Sequence, residues 1–474
     1  MVIDCPRIAF CALRGNSGKT LLTVGTVTCL HNEGREISPF KKGPDYIDAA
    51  WLALAAGRPC YNLDVFLMER RGIFSSFSFH TNQADGAIVE GNRGIFDGLD
   101  EKGTYSSAEL AKMLGIPVIL IVDCKMTTRT VAAMVLGCQH FDLDVAIKGV
   151  VLNRIRGSRH GSIIKRAIEE NCGIPVLGQI PNIEGRVFPE RHMGLVPPQE
   201  HPGAKRAIDE ASKIADQNVD IEGVWKIATS ASSLNSSIPD YHSEKAESGL
   251  YVSKKPRIGY IRDAAFWFYY PDNIEALEYL GAEMVECNGL VQDSLPSLDA
   301  LYIGGGFPET HAEVLAANIG FRRALQGAIE RGLPVYAECG GLLYLGERLI
   351  IDGKEFPMAG VFPLTFVLER RPQAHGYTVL EVIEPNPYFF KGEILHGHEF
   401  HYSRIIEEKK CELTLAFEVK RGYGIDGMKD GLCYKNVLAT YSHVHASGAS
   451  AWAKGLFGRA VQYSQDSKRE KDAA

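Results

Sequence analysis

The sequence predicts an α/β protein of two domains, and three observations carry that reading. Short β-branched runs alternate with helix-length amphipathic stretches; a stretch rich in Ser, Lys and Glu interrupts the alternation around residues 226–256; the alternation then restarts. Strand followed by helix, repeated, means parallel strands joined by crossover helices. With 474 residues, 45% hydrophobic and 23% charged, the chain can fill two or three cores and is neither disordered nor fibrous in composition.

In the first half the strands are RIAFCAL (7–13), ADGAIVEG (84–91), IPVILIVD (116–123) and IKGVVLNRI (147–155), each followed by a helical stretch. IPVILIV is the longest strongly apolar run, too short to cross a bilayer but suited to a strand buried on both faces. RIGYIRD (257–263), ALYIGGGF (300–307) and PVYAECGG (334–341) resume the pattern. These elements place domains at 1–225 and 257–464, a linker at 226–256 and a polar tail, QDSKREKDAA, at 465–474.

Charge and cysteine usage narrow the class. The net charge of −7, without a long basic cluster, offers no field for nucleic acid phosphates. Eleven cysteines, an odd number with no Cys-x-x-Cys pair, indicate free thiols in a reducing compartment. The amino terminus lacks a basic region ahead of a long apolar stretch and does not read as a signal peptide. The expectation is a cytoplasmic protein with neither membrane nor nucleic acid as partner. Oligomeric state stays open, a homodimer included.

Residues 12–20, ALRGNSGKT, lie between a strand and a helix. Such a loop turns backbone N–H groups and a helix start toward phosphate: Gly15, Asn16, Ser17 and Gly18 form the cradle, Lys19 adds a point charge and the Thr20 hydroxyl can hold Mg²⁺. Leu13 stands where the full motif has Gly, and Arg14 sits where a subset of these loops carries an extra cation. FKKGPDYIDAAW (40–51) sets Asp45 and Asp48 three residues apart beside Lys41, a pattern able to hold Mg²⁺ and orient a phosphate. The same stretch can equally be a solvated turn whose Asp48 caps a helix starting at Ala49. In VEGNRGIFDG (89–98), Glu90 ends a buried strand and Asp97 follows seven residues later, at the sheet edge where ligands bind.

PVYAECGGLLYLG (334–346) reads as a strand, a tight turn and a helix, holding Cys339 at an elbow where a helix start lowers the thiol pKa and backbone N–H groups can cup an oxyanion. Gly340 supplies one such group, and Gly305 and Gly306 of IGGGFPET (303–310) can bring another. A cysteine nucleophile needs a base, and LATYSHVHA places His443 late in the same domain, although two histidines so close can also be core or substrate contacts. LHGHEFHYS (395–403) has three more, without partners that complete a zinc signature, and reads better as a recognition segment than as a metal site.

GNSGKT, FKKGPDYIDAAW, YNLD (61–64), VEGNRGIFDG, VDCKMTTRTVAA, GVVLNRI, PERHMGLVPP (189–198), DAAFWFYYPDN (263–273), YIGGGFPETHAEVLAAN, YAECGGLLYL and GHEFHYS together resemble the cobyrinic acid a,c-diamide synthase family over nearly the whole chain. The resemblance implies a dethiobiotin-synthetase-like ATP-binding domain with a parallel sheet, joined to a class I glutamine amidotransferase domain. It further implies that a tetrapyrrole acetate carboxylate is phosphorylated by MgATP and then amidated with ammonia from glutamine, in cobalamin biosynthesis. By resemblance Cys339 is the nucleophile and His443 its base. Lys41, Asp45, Tyr46, Asp48, Asp64, Glu90 and Asp97 handle substrate or Mg²⁺, with Thr20, Asp45 and Glu90 as the metal set.

The chemistry agrees: oxide is too poor a leaving group for direct amidation, so an acyl phosphate forms first, and a thiol site supplies ammonia. Departures from the family pattern leave choices open. His445 stands where related amidotransferases often have the Glu that orients the base, so a carboxylate from elsewhere must serve. Lys42, Asn92 and Arg93 replace residues that are commonly apolar. Lys41, Lys42 and Arg93 suggest local cations for a polycarboxylate, which the net charge conceals, or the departures mark a branch acting on sirohydrochlorin or sirohaem. A nucleotide-switch ATPase without amidation would leave Cys339 and the last 200 residues without a use, and a glutaminase-like scaffold would leave the phosphate loop without one.

Overall fold

The computed structural model describes residues 2–183, 185, 187–191, 194–235, 255–408 and 413–473. They form two compact units, Met1–Val65 with Arg70–Tyr241, and Phe66–Glu69 with His242–Ala474. Most of the expected linker, residues 236–254, lies outside the described residues, as do 192 and 193 of the PERHMGLVPP block and the last residue of the tail.

The first unit is built on strands β1 (Arg7–Ala12), β2 (Ile37–Lys42), β3 (Tyr61–Leu63), β4 (Gly86–Glu90), β5 (Val118–Asp123), β6 (Ile147–Ile155) and β7 (Val176–Pro181). Their order is β3-β2-β4-β1-β5-β6-β7 and every pair is parallel. β1 is buried along its whole length, as a central parallel strand covered on both faces must be. Helix α1 (Lys19–Asn32) buries Leu22, Val24, Val27 and Leu30. A β-carbon at its Gly25 would come within 2.4 Å of the Ala211 carbonyl, so glycine permits close packing against the helix Ala204–Asn218. Helix α2 (Tyr46–Ala56) follows β2. The loops after β1, β2 and β4 leave the sheet at its carboxyl edge, where ligands bind in such sheets.

The unit does not stop at residue 225. The helix Ile221–Thr229 runs through that position because Ile221, Val224 and Ala228 form a buried face. Beyond it Leu234 and Asn235 pair with Val2 and Ile3, and the Arg7 guanidinium donates to the Ser232 carbonyl at 2.6 Å.

In the second unit the strands that position the site are β8 (Arg257–Ile261), β9 (Phe266–Phe268), β10 (Glu283–Cys287), β11 (Ala300–Ile303), β12 (Gly305–Gly306), β13 (Val335–Glu338), β14 (Ala374–Val382), β15 (Ile394–His401), β16 (Thr414–Arg421), β17 (Lys429–Tyr434), β18 (Val437–Thr440) and β19 (His443–Val444), while Arg348–Ile351, Lys354–Pro357, Leu364–Leu368 and Ser403–Glu408 form a separate four-stranded sheet. A ten-stranded sheet runs β10-β8-β11-β13-β18-β17-β16-β14-β15-β19. Its first five strands are parallel and the rest antiparallel. The sheet is thus mixed, and among the described residues no helix lies between β14 and β18, where parallel pairing would need a crossover.

The expected polar tail is instead the end of helix Ser450–Ala473. Trp452, Leu456, Phe457 and Ala460 anchor its first half in the core. Lys, Arg, Glu and Gln extend an already nucleated helix without needing a core of their own. No helix among the described residues is long and apolar enough to cross a membrane.

Candidate active sites

In the first unit the loop after β1 turns into α1 through Asn16 (φ 56°) and Gly18 (φ 91°). A β-carbon at Gly18 would meet the Asn153 amide nitrogen at 2.3 Å, and that amide donates to the Ser17 carbonyl at 2.8 Å. The cradle is thereby tied to the end of β6. Lys19 is buried and donates to the Arg93 carbonyl at 2.9 Å; burial, then the neighbouring Lys41, lower its pKa. Arg14 is largely exposed and pairs with Asp123 at 2.7 Å, beside Arg154 on the same oxygen at 2.6 Å.

Behind the loop the hydroxyl of Thr20 donates to Glu90 Oε1 at 3.1 Å. Lys41, 1% exposed, reaches the same oxygen at 2.6 Å and Asp48 Oδ2 at 2.7 Å. Burial opposes the charge on Lys41, but Asp48 and Glu90 outweigh it and raise its pKa. Burial likewise works against ionised Asp48, yet Lys41 holds its pKa below the usual range. Glu90 is raised by burial.

Asp45 has a different position from the one expected. It is the N-cap of α2, its Oδ1 accepting from the Asp48 N–H at 2.9 Å, so the helix starts three residues earlier than Ala49 and Asp48 is not its cap. Burial, then proximity to Asp48, push the Asp45 carboxyl up to about 7. Asp48, rather than Asp45, is the carboxylate brought to Glu90. Tyr46 opens α2 and is buried. Asp64 is buried at the end of β3 and pairs with Lys42 at 3.7 Å. Asp97 is exposed and accepts from the Gly94 N–H at 2.8 Å, closing its own loop. Lys41 and Lys42 are each paired with internal carboxylates, whose burial would otherwise be prohibitive. Arg93 is exposed.

Glu90 Oε2 is buried without a hydrogen-bond partner. No cluster of three or more His, Cys, Asp or Glu residues able to hold a metal occurs among the described residues. Thr20, Glu90 and Asp48 offer oxygens of the kind Mg²⁺ takes, a few from protein with the shell completed by phosphate and water, and Glu90 Oε2 is an open acceptor.

In the second unit Cys339 follows β13 with φ 47° and ψ −99°, a strained conformation for a side-chain-bearing residue and the backbone of a nucleophile elbow. Its N–H donates to the Thr440 carbonyl at 2.8 Å, fixing the elbow against β18. The thiol points to the Phe400 carbonyl at 3.9 Å. Contrary to the expected lowering by a helix start, burial raises its pKa, with Glu309 adding to the effect; the helix that follows, Gly340–Leu345, is only six residues long. The resting residue is a neutral thiol and requires a base.

His443 follows β18, the strand beside β13. Its Nδ1–H donates to Glu338 Oε2 at 3.2 Å, and Gly305 packs on the ring so closely that a β-carbon there would lie 2.5 Å from Cε1 and 3.2 Å from Nε2. A β-carbon at Gly340 would lie 3.2 Å from the Gly306 nitrogen, and one at Gly306 would strike the Ala265 carbonyl at 2.1 Å. The elbow, the two-glycine strand and the imidazole thus meet at one point. Glu338 is the residue that motif reading passed over. Its signal was a charged side chain closing the apolar run VYA, a position that demands a partner.

The three histidines of LHGHEFHYS lie on β15. His398 stacks on His443 with centroids 4.9 Å apart, His396 Nδ1 donates to the Phe66 carbonyl at 3.1 Å, and His401 stacks on Tyr441 at 3.7 Å. Ten cysteines among the described residues are free thiols.

A phosphate loop with a carboxylate pair on one unit and a thiol elbow with its imidazole on the other define a two-domain, nucleotide-dependent glutamine amidotransferase. Comparison with known proteins agrees: residues 8–195 match the CobQ/CobB/MinD/ParA nucleotide binding domain and residues 257–451 the CobB/CobQ-like glutamine amidotransferase domain. The cobyrinate a,c-diamide synthase of Magnetococcus marinus is 42% identical over 95% of this chain and 96% of its own length, and that of Archaeoglobus fulgidus 40% identical over 97% and 98%. That of Listeria innocua is 36% identical over 95% and 99%. The chain belongs to the cobyrinate a,c-diamide synthase family and is a glutamine-dependent ligase.

Proposed function

We propose that this chain amidates the a and c acetate carboxylates of cobyrinate, at the expense of ATP, with ammonia from glutamine. The observation supporting this reading is the coexistence of the two sites in one chain: one suited to activating a carboxylate, the other to releasing ammonia. A substrate carboxylate oxygen attacks the γ-phosphorus of ATP, ADP leaves, and the acyl phosphate is then attacked by NH₃ with loss of phosphate. Lys19 and the 15–18 backbone hold the phosphates. Thr20, Glu90 and Asp48 would hold Mg²⁺, which when bound spreads the charge of the transferring phosphoryl group. Lys41 keeps Asp48 and Glu90 together.

At the elbow, the Cys339 S–H proton passes to His443 Nε2 as sulfur bonds to the glutamine δ-carbon, and the carbonyl electron pair moves to oxygen, facing the Gly306 and Gly340 N–H groups. Collapse breaks the C–N bond, and the leaving NH₃ takes the proton from His443. Water, deprotonated by His443, then hydrolyses the thioester to glutamate.

The test offers purified enzyme cobyrinate and sirohydrochlorin in competition, with MgATP and glutamine, and reads products by mass spectrometry. Two added amides on cobyrinate, with ADP formed, are expected; amides on sirohydrochlorin alone overturn the substrate assignment, and absence of both amide and ADP overturns the reaction. Cys339→Ala should lose glutamine-driven but keep ammonia-driven amidation, whereas Lys19→Ala should lose both.

A further inference from the structure

Where related amidotransferases place a Glu two residues after the catalytic histidine, this chain has His445, and His445 does not face the base: its Nδ1 accepts from the Ser447 N–H at 3.2 Å, and its Nε2 lies 3.5 Å from Asp272. The orienting carboxylate comes from the opposite direction in sequence. We infer that Glu338, the residue immediately before the nucleophile, is the positioning residue that completes the thiol site, holding His443 in the tautomer and orientation that let Nε2 take the Cys339 proton. The inference rests on the reading of Cys339 and His443 as the glutaminase pair.

Three donors converge on the Glu338 carboxylate. Oε2 accepts from His443 Nδ1–H at 3.2 Å and from the Tyr302 hydroxyl at 3.0 Å, and Oε1 accepts from the Val444 N–H at 3.1 Å. Glu338 has no exposed surface, so water does not compete for these bonds. Val444 is the residue after the base, so one carboxylate fixes both the ring and the backbone that carries it. Asn273 supports the same segment, donating to the Val444 carbonyl at 2.9 Å, accepting from the Ala446 N–H at 2.7 Å and reaching the Tyr302 hydroxyl at 3.4 Å.

The spacing explains how adjacent residues play separate parts. Along β13 successive side chains alternate between faces. The strained elbow at Cys339 then turns the thiol away from the strand, while Glu338 stays in its ladder, paired in register with Thr440 three residues before the base. In the parallel part of the sheet β13 and β18 end side by side, so that Glu338 and Cys339 leaving β13 and His443 leaving β18 meet, and no downstream acid is required.

The other ionisable groups around the pair do not replace it. Tyr302, Tyr336 and Tyr269, on the Glu338 side, have their pKa raised by burial and stay neutral. His398, stacked on His443, is kept neutral by burial, with His443, His375 and His445 adding to the effect. On the nucleophile's side, Glu309 and Glu399 join Glu338 in acting on the Cys339 thiol, but the carboxylate hydrogen-bonded to Nδ1 is that of Glu338. When His443 takes the thiol proton, the imidazolium forms as an ion pair already in place.

The test measures glutamine hydrolysis by the full chain against pH. Glu338→Gln should lower kcat by about 10²–10⁴ while KM stays within about threefold, since the carboxylate acts in proton transfer and not in binding. The acid limb of the pH profile should move to lower pH, because the imidazolium has lost its counter-charge. Glu338→Asp, which keeps the charge, should recover part of kcat and of the limb's position; it also carries the test if the Gln variant does not fold. A kcat for Glu338→Gln within threefold of the unaltered chain overturns the inference. So does an unmoved acid limb with Asp no better than Gln, which would mark a merely structural role. Absence of glutamine hydrolysis by the unaltered chain overturns this inference and the parent reading together, whereas full hydrolysis by Glu338→Gln overturns this one alone.

Discussion

Lys41 lies between Asp48 and Glu90 with 1% of its surface exposed, where an ammonium is stable only because two carboxylates surround it. Removing one member of a buried charged set strands the others. Lys41→Met is therefore expected to lower the unfolding free energy of the first unit by about 3–5 kcal/mol. Denaturant titration without nucleotide checks this, and MgATP should restore part of the loss because a bound cation again neutralises Asp48 and Glu90; a change below about 1 kcal/mol would place the pair in solvent. Much at this scale was legible from residue type: Lys19, Thr20, Glu90, Cys339 and His443 all carry chemistry in recognisable turns. Which of Asp45 and Asp48 caps the helix was not, because the two differ by one helical turn and only the start of α2 decides it. The part played by Glu338 was hidden for another reason. It depends on a strand pairing about a hundred residues away in sequence, which local spacing cannot report.

β17 and β18 show how an element holds the site without touching substrate. Asp430, wholly buried on β17, accepts from the Thr440 hydroxyl at 2.7 Å and from the Gly431 and Tyr441 N–H groups at 2.7 and 3.2 Å, which secures the end of β18 just before His443. Burial outweighs these bonds and pushes its pKa up from 3.8 to about 6. Between those values the folded chain keeps a proton that the unfolded chain has released. The contribution to stability is thus fully present below about pH 4 and is lost as the pH rises to about 6, a change of about 3 kcal/mol. Asp430→Asn, which does not titrate, should become more stable relative to the unaltered chain by about that amount over the same interval in denaturant melts; a pH-independent difference would refute the assignment. Elements were legible wherever strand and crossover helix alternate, and the seven-stranded parallel sheet follows from that rhythm. The antiparallel half of the second sheet was not, because hairpin-linked strands lack the helical punctuation that marks a βαβ unit. The end of the last helix has no apolar stripe to mark it in the sequence, although Trp452 and Phe457 anchor its first half.

At the scale of the whole chain, sequence order and structural membership part company at one place. Phe66–Glu69 lie within the amino-terminal half, yet they belong to the second unit. The Phe66 ring stacks on Tyr377 at 4.3 Å and on His396 at 4.8 Å, its carbonyl accepts from His396 Nδ1–H, and a β-carbon at Gly448 would lie 1.7 Å from the Leu67 carbonyl, so that glycine leaves room for the segment. Composition could not reveal this, because VFLME reads like any strand-to-helix connection and its partners lie about 300 residues downstream. The consequence is thermodynamic. A carboxy-terminal fragment beginning at residue 242 would lack four residues of its own unit, so its stability should fall below that of the same unit in the full chain. The cleaner form of the test keeps the chain whole: Phe66→Ala should destabilise the second unit by about 3 kcal/mol, as expected for deleting a buried aromatic side chain. Differential scanning calorimetry, with MgATP added to mark the first unit's transition, separates the two bodies. The transition that MgATP shifts should stay where it was, and the other should move down. A shift in the MgATP-marked transition alone would return Phe66 to the first unit and make the second a contiguous segment.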